Sequence, residues 1–199
     1  KVRFLLAAVD VQGGKKRRFV VQIIGYGENG ERWLVDRYNI RQSLRSNEHG
    51  EAEPIHPGAY PEDWQLLVSD VLEKTYALQS DPTRRMPVLA MAVDSGGEEG
   101  VTDNAYKFWR QCRRDGLGKR VYLVKGDSTK RQKIITKTHP NKTERSDRRA
   151  DARGEVPVYL LQTDLLKDQL SNNLDRETPG AGYIHFPDWL GEWFYEELT

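Results

Sequence analysis

Two short apolar runs that each lead into an aspartate constrain this chain more than any other feature. Residues 2–9 (VRFLLAAV) precede Asp10, and residues 87–93 (PVLAMAV) precede Asp94. A pair of glycines follows each aspartate within a few residues and favours a turn there. Because short apolar runs bounded by turns are typical of buried strands, we expect two strands that each present a carboxylate at the carboxyl end.

The segments around these runs predict an α/β fold. Residues 18–26 and 32–40 are rich in β-branched and aromatic side chains, and short glycine-containing turns join them to the first strand, so the three predict an antiparallel meander. A helix at 102–114 lies between the strand at 87–93 and a strand at 120–124, an order that predicts parallel pairing. The expected architecture is a mixed sheet, with an antiparallel three-strand meander followed by parallel strands, flanked by helices.

The segment between the two halves of this sheet is expected to be irregular and then helical. Residues 42–61 are polar, contain three prolines and show no regular period. Asp63 is predicted to cap a helix. The apolar stripe of that helix recurs at three- and four-residue steps and consists of Trp64, Leu67, Val68, Val71, Leu72 and Tyr76.

The C-terminal part predicts further elements of the same kind. Residues 156–161 indicate a strand, Thr163 and Asp164 the cap of a helix over 165–174, and 183–186 a last strand before a terminal helix through Trp193 and Leu198. The amphipathic periods favour core positions over a base-stacking role for four tryptophans, at 33, 64, 109 and 193.

Length and composition limit the possible classes of protein. A chain of 199 residues suits one domain, over 1–199, and no apolar run is long enough to span a bilayer. The single cysteine, Cys112, has no Cys or His at zinc-ligand spacing, which argues against a disulfide framework or a zinc site and favours a reducing, intracellular compartment. The start at Lys1, without a leader, predicts a piece of a larger protein.

Positive charge is concentrated in one segment. Residues 125–153 carry ten Lys and Arg against four Asp and Glu, a local balance of +6 in a chain whose net charge is +1. Such a segment can bind phosphate groups, and a solvated loop is the alternative explanation.

The two aspartates suggest a metal site. In an open α/β sheet, sites form outside the carboxyl ends of the strands, so neighbouring strands could bring Asp10 and Asp94 together. Adjacent carboxylates repel each other unless a cation or a proton intervenes, and hard oxygen ligands suit Mg²⁺ or Mn²⁺. Each aspartate taken alone could instead be an ordinary turn residue. Asp36 is expected to pair with Arg32 or Arg37.

Several short motifs occur in a specific order along nearly the whole chain. They are AVDVQ at 8–12, GYG at 25–27, ERWLVD at 31–36, VDSGG at 93–97, VKG at 124–126, TD at 163–164 and GYIHFP at 182–187. Together they resemble the nuclease domain of the large terminase subunit of lambda-like tailed bacteriophages.

This resemblance implies a ribonuclease H-like fold and a divalent-metal-dependent endonuclease that cleaves duplex DNA during genome packaging. It implies that Asp10 and Asp94 bind Mg²⁺ or Mn²⁺ in a two-metal site, with Lys125 near the catalytic groove. The implied partners are double-stranded DNA and, in the full-length protein, an ATPase domain, the small terminase subunit and the portal, in the host bacterial cytoplasm and away from membranes. Expected DNA contacts come from the basic segment: Lys125, Lys130, Arg131, Lys133, Arg148, Arg149 and Arg153.

The chain departs from the family pattern in two ways. It has no Gly-x-x-x-x-Gly-Lys-Ser/Thr phosphate loop, so no ATPase chemistry is expected. The family's third acid is expected beyond Thr199, and Asp164 is an internal candidate for it, although a helix cap explains Asp164 equally well. Two alternatives remain: a recombination nuclease or integrase-type enzyme of the same fold, and a non-catalytic DNA-binding or docking module of the packaging motor.

Overall fold

A computed structural model describes residues 2–129, 133–141 and 152–196. Its α-helices are α1 (Val101–Arg114), α2 (Thr163–Leu174) and α3 (Glu192–Glu196). Its strands are β1 (Phe4–Gln12), β2 (Arg18–Tyr26), β3 (Arg32–Ile40), β4 (Gln42–Ser46), β5 (Ala52–Pro54), β6 (Thr75–Leu78), β7 (Asp81–Asp94), β8 (Val121–Asp127), β9 (Ile135–Thr138), β10 (Val158–Gln162) and β11 (Ile184–His185).

Within the described residues, nine of these strands form one mixed sheet. Its order is β11-β3-β2-β1-β7-β8-β10-β9, with β6 paired to β7 outside this path. The first three strands pair antiparallel, whereas β1, β7, β8 and β10 pair parallel in turn. The predicted α/β architecture, with an antiparallel meander followed by parallel strands, is therefore confirmed.

One face of this sheet carries the main core. Val9 and Val93 on neighbouring strands belong to a buried cluster that also contains Phe108 of α1 and Trp64. The helix predicted at 102–114 is present as α1, and its apolar positions are buried because they recur along one side. On β3, a second and smaller cluster joins Leu34 to residues of the C-terminal part, namely Phe186, Leu190 and Phe194.

The region between β3 and β7 differs most from the prediction. The segment expected to be irregular contains an antiparallel hairpin, β4–β5, whose mostly exposed residues give no apolar alternation to detect. The predicted long helix is a 3₁₀ turn over Pro61–Gln65 followed by a π turn over Val68–Leu72. Tyr76 lies in β6, because an extension of β7 to Asp81 provides a pairing partner for that strand.

The tryptophans also divide differently from the prediction. Trp64 and Trp109 are buried as expected, whereas Trp33 is half-buried and Trp193 is 49% exposed on the short helix α3. Leu198, expected in the same helix, lies outside the described residues. None of the described helices is both long and apolar enough to cross a membrane.

Candidate active site

The register of β1 and β7 places Asp10 beside Asp94. These strands are parallel neighbours in which Val9 lies opposite Val93, and each aspartate is the next residue along its strand. Adjacent strands are separated by about 4.8 Å, and successive side chains alternate between the two faces. Since both valines point into the core, both carboxylates extend from the opposite face at the same level. Asp94 ends β7 as predicted, but β1 continues two residues past Asp10, to Gln12.

The two carboxyl groups have different surroundings. Asp10 is exposed, whereas Asp94 is half-buried. Burial is the largest influence on Asp94 and raises its pKa, and the nearby charge of Asp10 raises it further. A hydrogen bond from the Gly96 amide and the positive charge of Lys125 oppose these effects without cancelling them. Burial and the neighbouring carboxylate of Asp10 thus both disfavour the charged form of Asp94.

Local hydrogen bonds orient each carboxylate. The side-chain amide of Gln12 donates to Oδ2 of Asp10 at 2.9 Å, and the backbone N–H of Gly96 donates to Oδ1 of Asp94 at 2.8 Å. A Cβ atom at position 96 would lie 3.3 Å from that same Oδ1, so glycine keeps space beside the carboxylate. Gln12 was not among the predicted site residues, although its position two residues after Asp10 on a strand places both side chains on one face.

Ser95 fixes the end of β7 to its neighbours. Its side chain is fully buried, and its hydroxyl donates to the carbonyl of Val124 on β8 at 2.9 Å. The hydroxyl of Thr102, in the first turn of α1, donates to the carbonyl of Ser95 at 2.8 Å. The serine of the Asp-Ser-Gly-Gly motif is thus a structural residue that links β7, β8 and α1, a role that only the tertiary structure reveals.

Lys125 lies near the pair. Asp94 is opposite Val124 on β8, and Lys125 is the next residue on that strand. Its positive charge lowers the pKa of Asp94, and its ammonium group is 5.8 Å from the centre of the Tyr106 ring. The structure therefore places Asp10 and Asp94 side by side and Lys125 within electrostatic reach of Asp94, while the roles of all three in catalysis remain predictions.

Asp164 follows a strand two places from β7 in the sheet, and it does not cap a helix. It is exposed in the first turn of α2, after the strand β10, which is separated from β7 by β8. The predicted cap at Thr163 and Asp164 is wrong: the buried side chain of Gln162 accepts hydrogen bonds from the backbone N–H groups of Asp164, at 2.9 Å, and Leu165, at 3.3 Å. Its buried amide oxygen satisfies helix N–H groups that would otherwise lack partners.

The pair has no third metal-binding neighbour in the part of the chain that the structure describes. No group of three or more His, Cys, Asp or Glu side chains there is arranged to hold a metal ion. A third carboxylate, whether Asp164 or a residue beyond Thr199, therefore stays a prediction.

The basic segment is partly described. Lys133 and Arg153 are exposed, whereas Lys130, Arg131, Arg148 and Arg149 lie outside the described residues. The segment includes an unpredicted strand, β9, that pairs antiparallel with β10 at the edge of the sheet. It is therefore not only a loop. The contribution of its charges to DNA binding remains a prediction.

The expected partner of Asp36 is wrong. Its Oδ2 accepts hydrogen bonds from the ammonium group of Lys74 at 2.9 Å and from the hydroxyl of Tyr76 at 2.7 Å. Arg37 instead donates to the side chain of Gln22 at 3.0 Å. Asp36 thus pairs with residues about forty positions away instead of its sequence neighbours, because β6 and the segment before it lie beside β3.

Comparison with known proteins identifies the family of the chain. The chain is 25% identical over 195 residues to the terminase large subunit of Escherichia phage lambda, an alignment that covers 94% of the chain and 24% of that protein. The chain thus spans about a quarter of the length of this curated relative. No solved structure matches the chain significantly. Residues 1–199 match the family described as the terminase large subunit gpA, endonuclease domain, and the chain belongs to that family.

Proposed function

We propose that this domain is a divalent-metal-dependent endonuclease that hydrolyses phosphodiester bonds in duplex DNA, with Asp10 and Asp94 as its metal ligands. The single observation that carries the proposal is the placement of these two carboxylates side by side on parallel strands, in a member of a terminase endonuclease family. Burial raises the pKa of Asp94, and the charge of Asp10 raises it further, as expected for acids that share one site.

The residues present fit a hard divalent cation. Both ligands are carboxylates, and there is no sulfur or imidazole ligand in the pair, a donor set that suits Mg²⁺ or Mn²⁺. Burial is the main cause of the raised pKa of Asp94, and a positive charge between the carboxylates would relieve the further contribution of Asp10. Such ions, when bound, supply an acidified water as nucleophile and neutralise charge on the reacting phosphate, and the family resemblance favours two of them.

Residues of the chain itself orient the two carboxylates and supply positive charge near them. Gln12 and Gly96 each hold one oxygen of a carboxylate, which fixes the directions of the remaining lone pairs. Lys125, one residue past the position opposite Asp94 on β8, supplies positive charge that favours the ionised form of Asp94 and could attract the phosphate backbone. The described part of the basic segment adds the positive charge of Lys137, which lies on β9 at one edge of the sheet.

The strand order supports the finer assignment of the fold as ribonuclease H-like. The order β3-β2-β1-β7-β8 combines an antiparallel meander with two further strands parallel to β1, and the two acids lie on its adjacent parallel strands.

The biological setting is proposed from the relative. The matching phage lambda protein is a terminase large subunit, and the chain covers a quarter of it, so we propose that this domain works within a larger packaging protein. The proposed partners there are double-stranded DNA, an ATPase domain, the small terminase subunit and the portal, in the cytoplasm of the host bacterium.

A plasmid assay tests the proposal. Supercoiled DNA is incubated with the domain in Mg²⁺, in Mn²⁺ and in EDTA, and nicked and linear products are quantified. We expect cleavage in either metal, none in EDTA, and none with Asp10→Asn or Asp94→Asn. Asp36→Asn is the matched control, because it changes a strand aspartate that pairs with Lys74 rather than with another carboxylate. Metal-independent cleavage, or full activity of either site variant, would contradict the proposal.

One observation favours a second candidate, the non-catalytic DNA-binding or docking module. The described residues supply a pair of carboxylates rather than three. In that case the wild-type domain would bind DNA with a steep salt dependence but would not cut it in either metal. Preferential cleavage of four-way junctions over linear duplex would instead indicate a recombination nuclease.

A further inference from the structure

Glu98 connects the two loops that follow the acids. It lies four residues after Asp94, and its side chain reaches the turn that follows Asp10. Its Oε1 accepts from Nε of Arg17 at 2.7 Å, and its Oε2 accepts from Nη2 of the same arginine at 3.1 Å. The backbone N–H of Gly14 also donates to Oε2, at 3.2 Å. One carboxylate thus makes a two-point ion pair and a backbone hydrogen bond across the site.

The turn after Asp10 is shaped to receive this carboxylate. A Cβ atom at Gly13 would lie 2.9 Å from Cδ of Glu98, closer than real side chains approach. Gly14 has a φ of +76°, in the left-handed region that favours glycine. The Gly13-Gly14 pair therefore permits a contact that any other residue at position 13 would obstruct.

A loop held by buried hydrogen bonds contacts Glu98 from another side. Nε2 of His56 is 3.6 Å from its Oε1. The carbonyl of Pro57, the next residue, accepts hydrogen bonds from the indole of buried Trp64 at 2.9 Å and from the amide of buried Asn104 at 2.8 Å. A Cβ atom at Gly100 would lie only 2.1 Å from the carbonyl oxygen of Gly58, so the loop after Asp94 is packed directly against this support.

The charge of Glu98 is also maintained by these contacts. Its hydrogen bond from Arg17 is the largest of the influences that lower its pKa, and the Gly14 amide and His56 act in the same direction. The carboxylate is 26% exposed and is thus partly shielded from water. It is ionised at neutral pH, where a two-point pair with arginine gives defined geometry.

We infer that Glu98 is a positioning residue that sets the relative placement of Asp10 and Asp94 by linking the loops that follow them. The inference rests on the proposed function, since it assigns Glu98 a role in shaping the metal site rather than in contacting the metal. Mg²⁺ requires near-ideal octahedral geometry. If the link through Glu98 is lost and the carboxylates of Asp10 and Asp94 shift relative to each other, Mg²⁺ binding should weaken even though the domain stays folded.

The test measures Mn²⁺ binding directly, by electron paramagnetic resonance of free Mn²⁺, in the 199-residue protein. Glu98→Ala should weaken Mn²⁺ binding by about tenfold, the scale on which residues that orient ligands act. Glu98→Gln, which can still accept from Gly14, should have a smaller effect. Arg17→Ala combined with Glu98→Ala should be no worse than Glu98→Ala alone, because one link is broken in each case.

Glu155→Ala is the matched control. Glu155 pairs with Nε of Arg110 at 2.6 Å and is partly shielded in the same way, but it connects α1 to the segment before β10. It should lower thermal stability like Glu98→Ala and leave Mn²⁺ affinity unchanged. A change of equal size in both variants would show that Glu98 is merely structural.

The outcomes separate this inference from the proposed function. If the wild-type domain binds Mn²⁺ at Asp94 but does not cut DNA, the nuclease proposal fails and the affinity ratios still decide the role of Glu98. If wild type binds no Mn²⁺, both fail together. If wild type binds and cuts while folded Glu98→Ala and Glu98→Gln keep wild-type affinity, only the inference about Glu98 is overturned.

Discussion

Asp63 and Asp94 are both acids withdrawn from solvent, and the fold treats them in opposite ways. Asp63 is fully buried, and its carboxylate accepts from the hydroxyl of Ser43 and from the backbone N–H of His56 at 2.6 Å, with the guanidinium of Arg45 3.5 Å away. Asp94 is half-buried and faces the like charge of Asp10. The fold supplies a positively charged partner and hydrogen-bond donors to the first acid, whereas it places a second carboxylate beside the other.

The largest effect expected from this contrast is on cleavage. Asp94→Asn should reduce the rate of DNA cleavage on the order of 10³-fold or more. When residues act as one catalytic unit, removal of one removes most of the activity of the whole unit. Asp10→Asn should behave alike, and Asp63→Asn should leave cleavage per folded molecule close to wild type. Single-turnover rates in saturating Mn²⁺ measure this. Equal losses at Asp63 and Asp94 would remove the distinction between them.

The free energy of unfolding should depend more on Asp63 than on Asp94. Asp63→Ala should lower the free energy of unfolding by about 3 kcal/mol, because it leaves buried donors and the Arg45 charge without a partner. Urea denaturation without metal provides the measurement.

Asp94→Asn should keep or raise the stability of the metal-free protein at neutral pH. A raised pKa means that the folded state binds a proton more tightly than the unfolded chain, so wild type loses stability as pH rises through that pKa. The Asn variant should lack this loss, and its advantage should vanish at acidic pH. A lower melting temperature than wild type at pH 7 would contradict the proposed repulsion.

A smaller effect is expected at Lys125. Its charge lowers the pKa of Asp94, so Lys125→Met should raise that pKa further. Activity that needs ionised Asp94 should then reach its acidic half-maximum at a higher pH. The pH–rate profile in Mn²⁺ tests this, with the exposed helix residue Lys167→Met as control. An unshifted acidic limb would mean that Lys125 does not act on Asp94.

The smallest effect concerns DNA binding by the basic segment. Replacing Lys133 and Arg153, which are exposed, with Ala should flatten the slope of log affinity against log salt by about 0.9 for each DNA phosphate that the variant no longer neutralises. Arg84→Ala is the control, since this exposed arginine lies at the end of β7 far from Asp94. If the slope is unchanged in the double variant, these charges are solvated and do not contact DNA.

The sequence predicts the pair Asp10 and Asp94 well because the relevant information is local. An apolar run, an acid and glycines identify each strand end, and the strand–helix–strand order predicts the parallel neighbours. Asp63 shows where such reasoning fails: it looks like a helix cap, but Pro61 starts the turn earlier, and the side-chain partners of Asp63 come from β4.

Long-range partners account for most of the remaining differences. Arg17 and Glu98 are 81 residues apart, and no local pattern connects them. Gln162 replaces the expected cap at Asp164 because it is buried at the end of β10, where its side chain meets the first turn of α2. Such contacts depend on how the sheet is assembled, which a single sequence does not state.

Anomalous diffraction from crystals soaked in Mn²⁺ tests the central claim most directly. We expect a peak between the carboxylates of Asp10 and Asp94 in the wild-type domain, and its loss in Asp94→Asn crystals of the same form. No peak between these carboxylates at Mn²⁺ concentrations that support cleavage, or a peak that persists unchanged in Asp94→Asn, would contradict it.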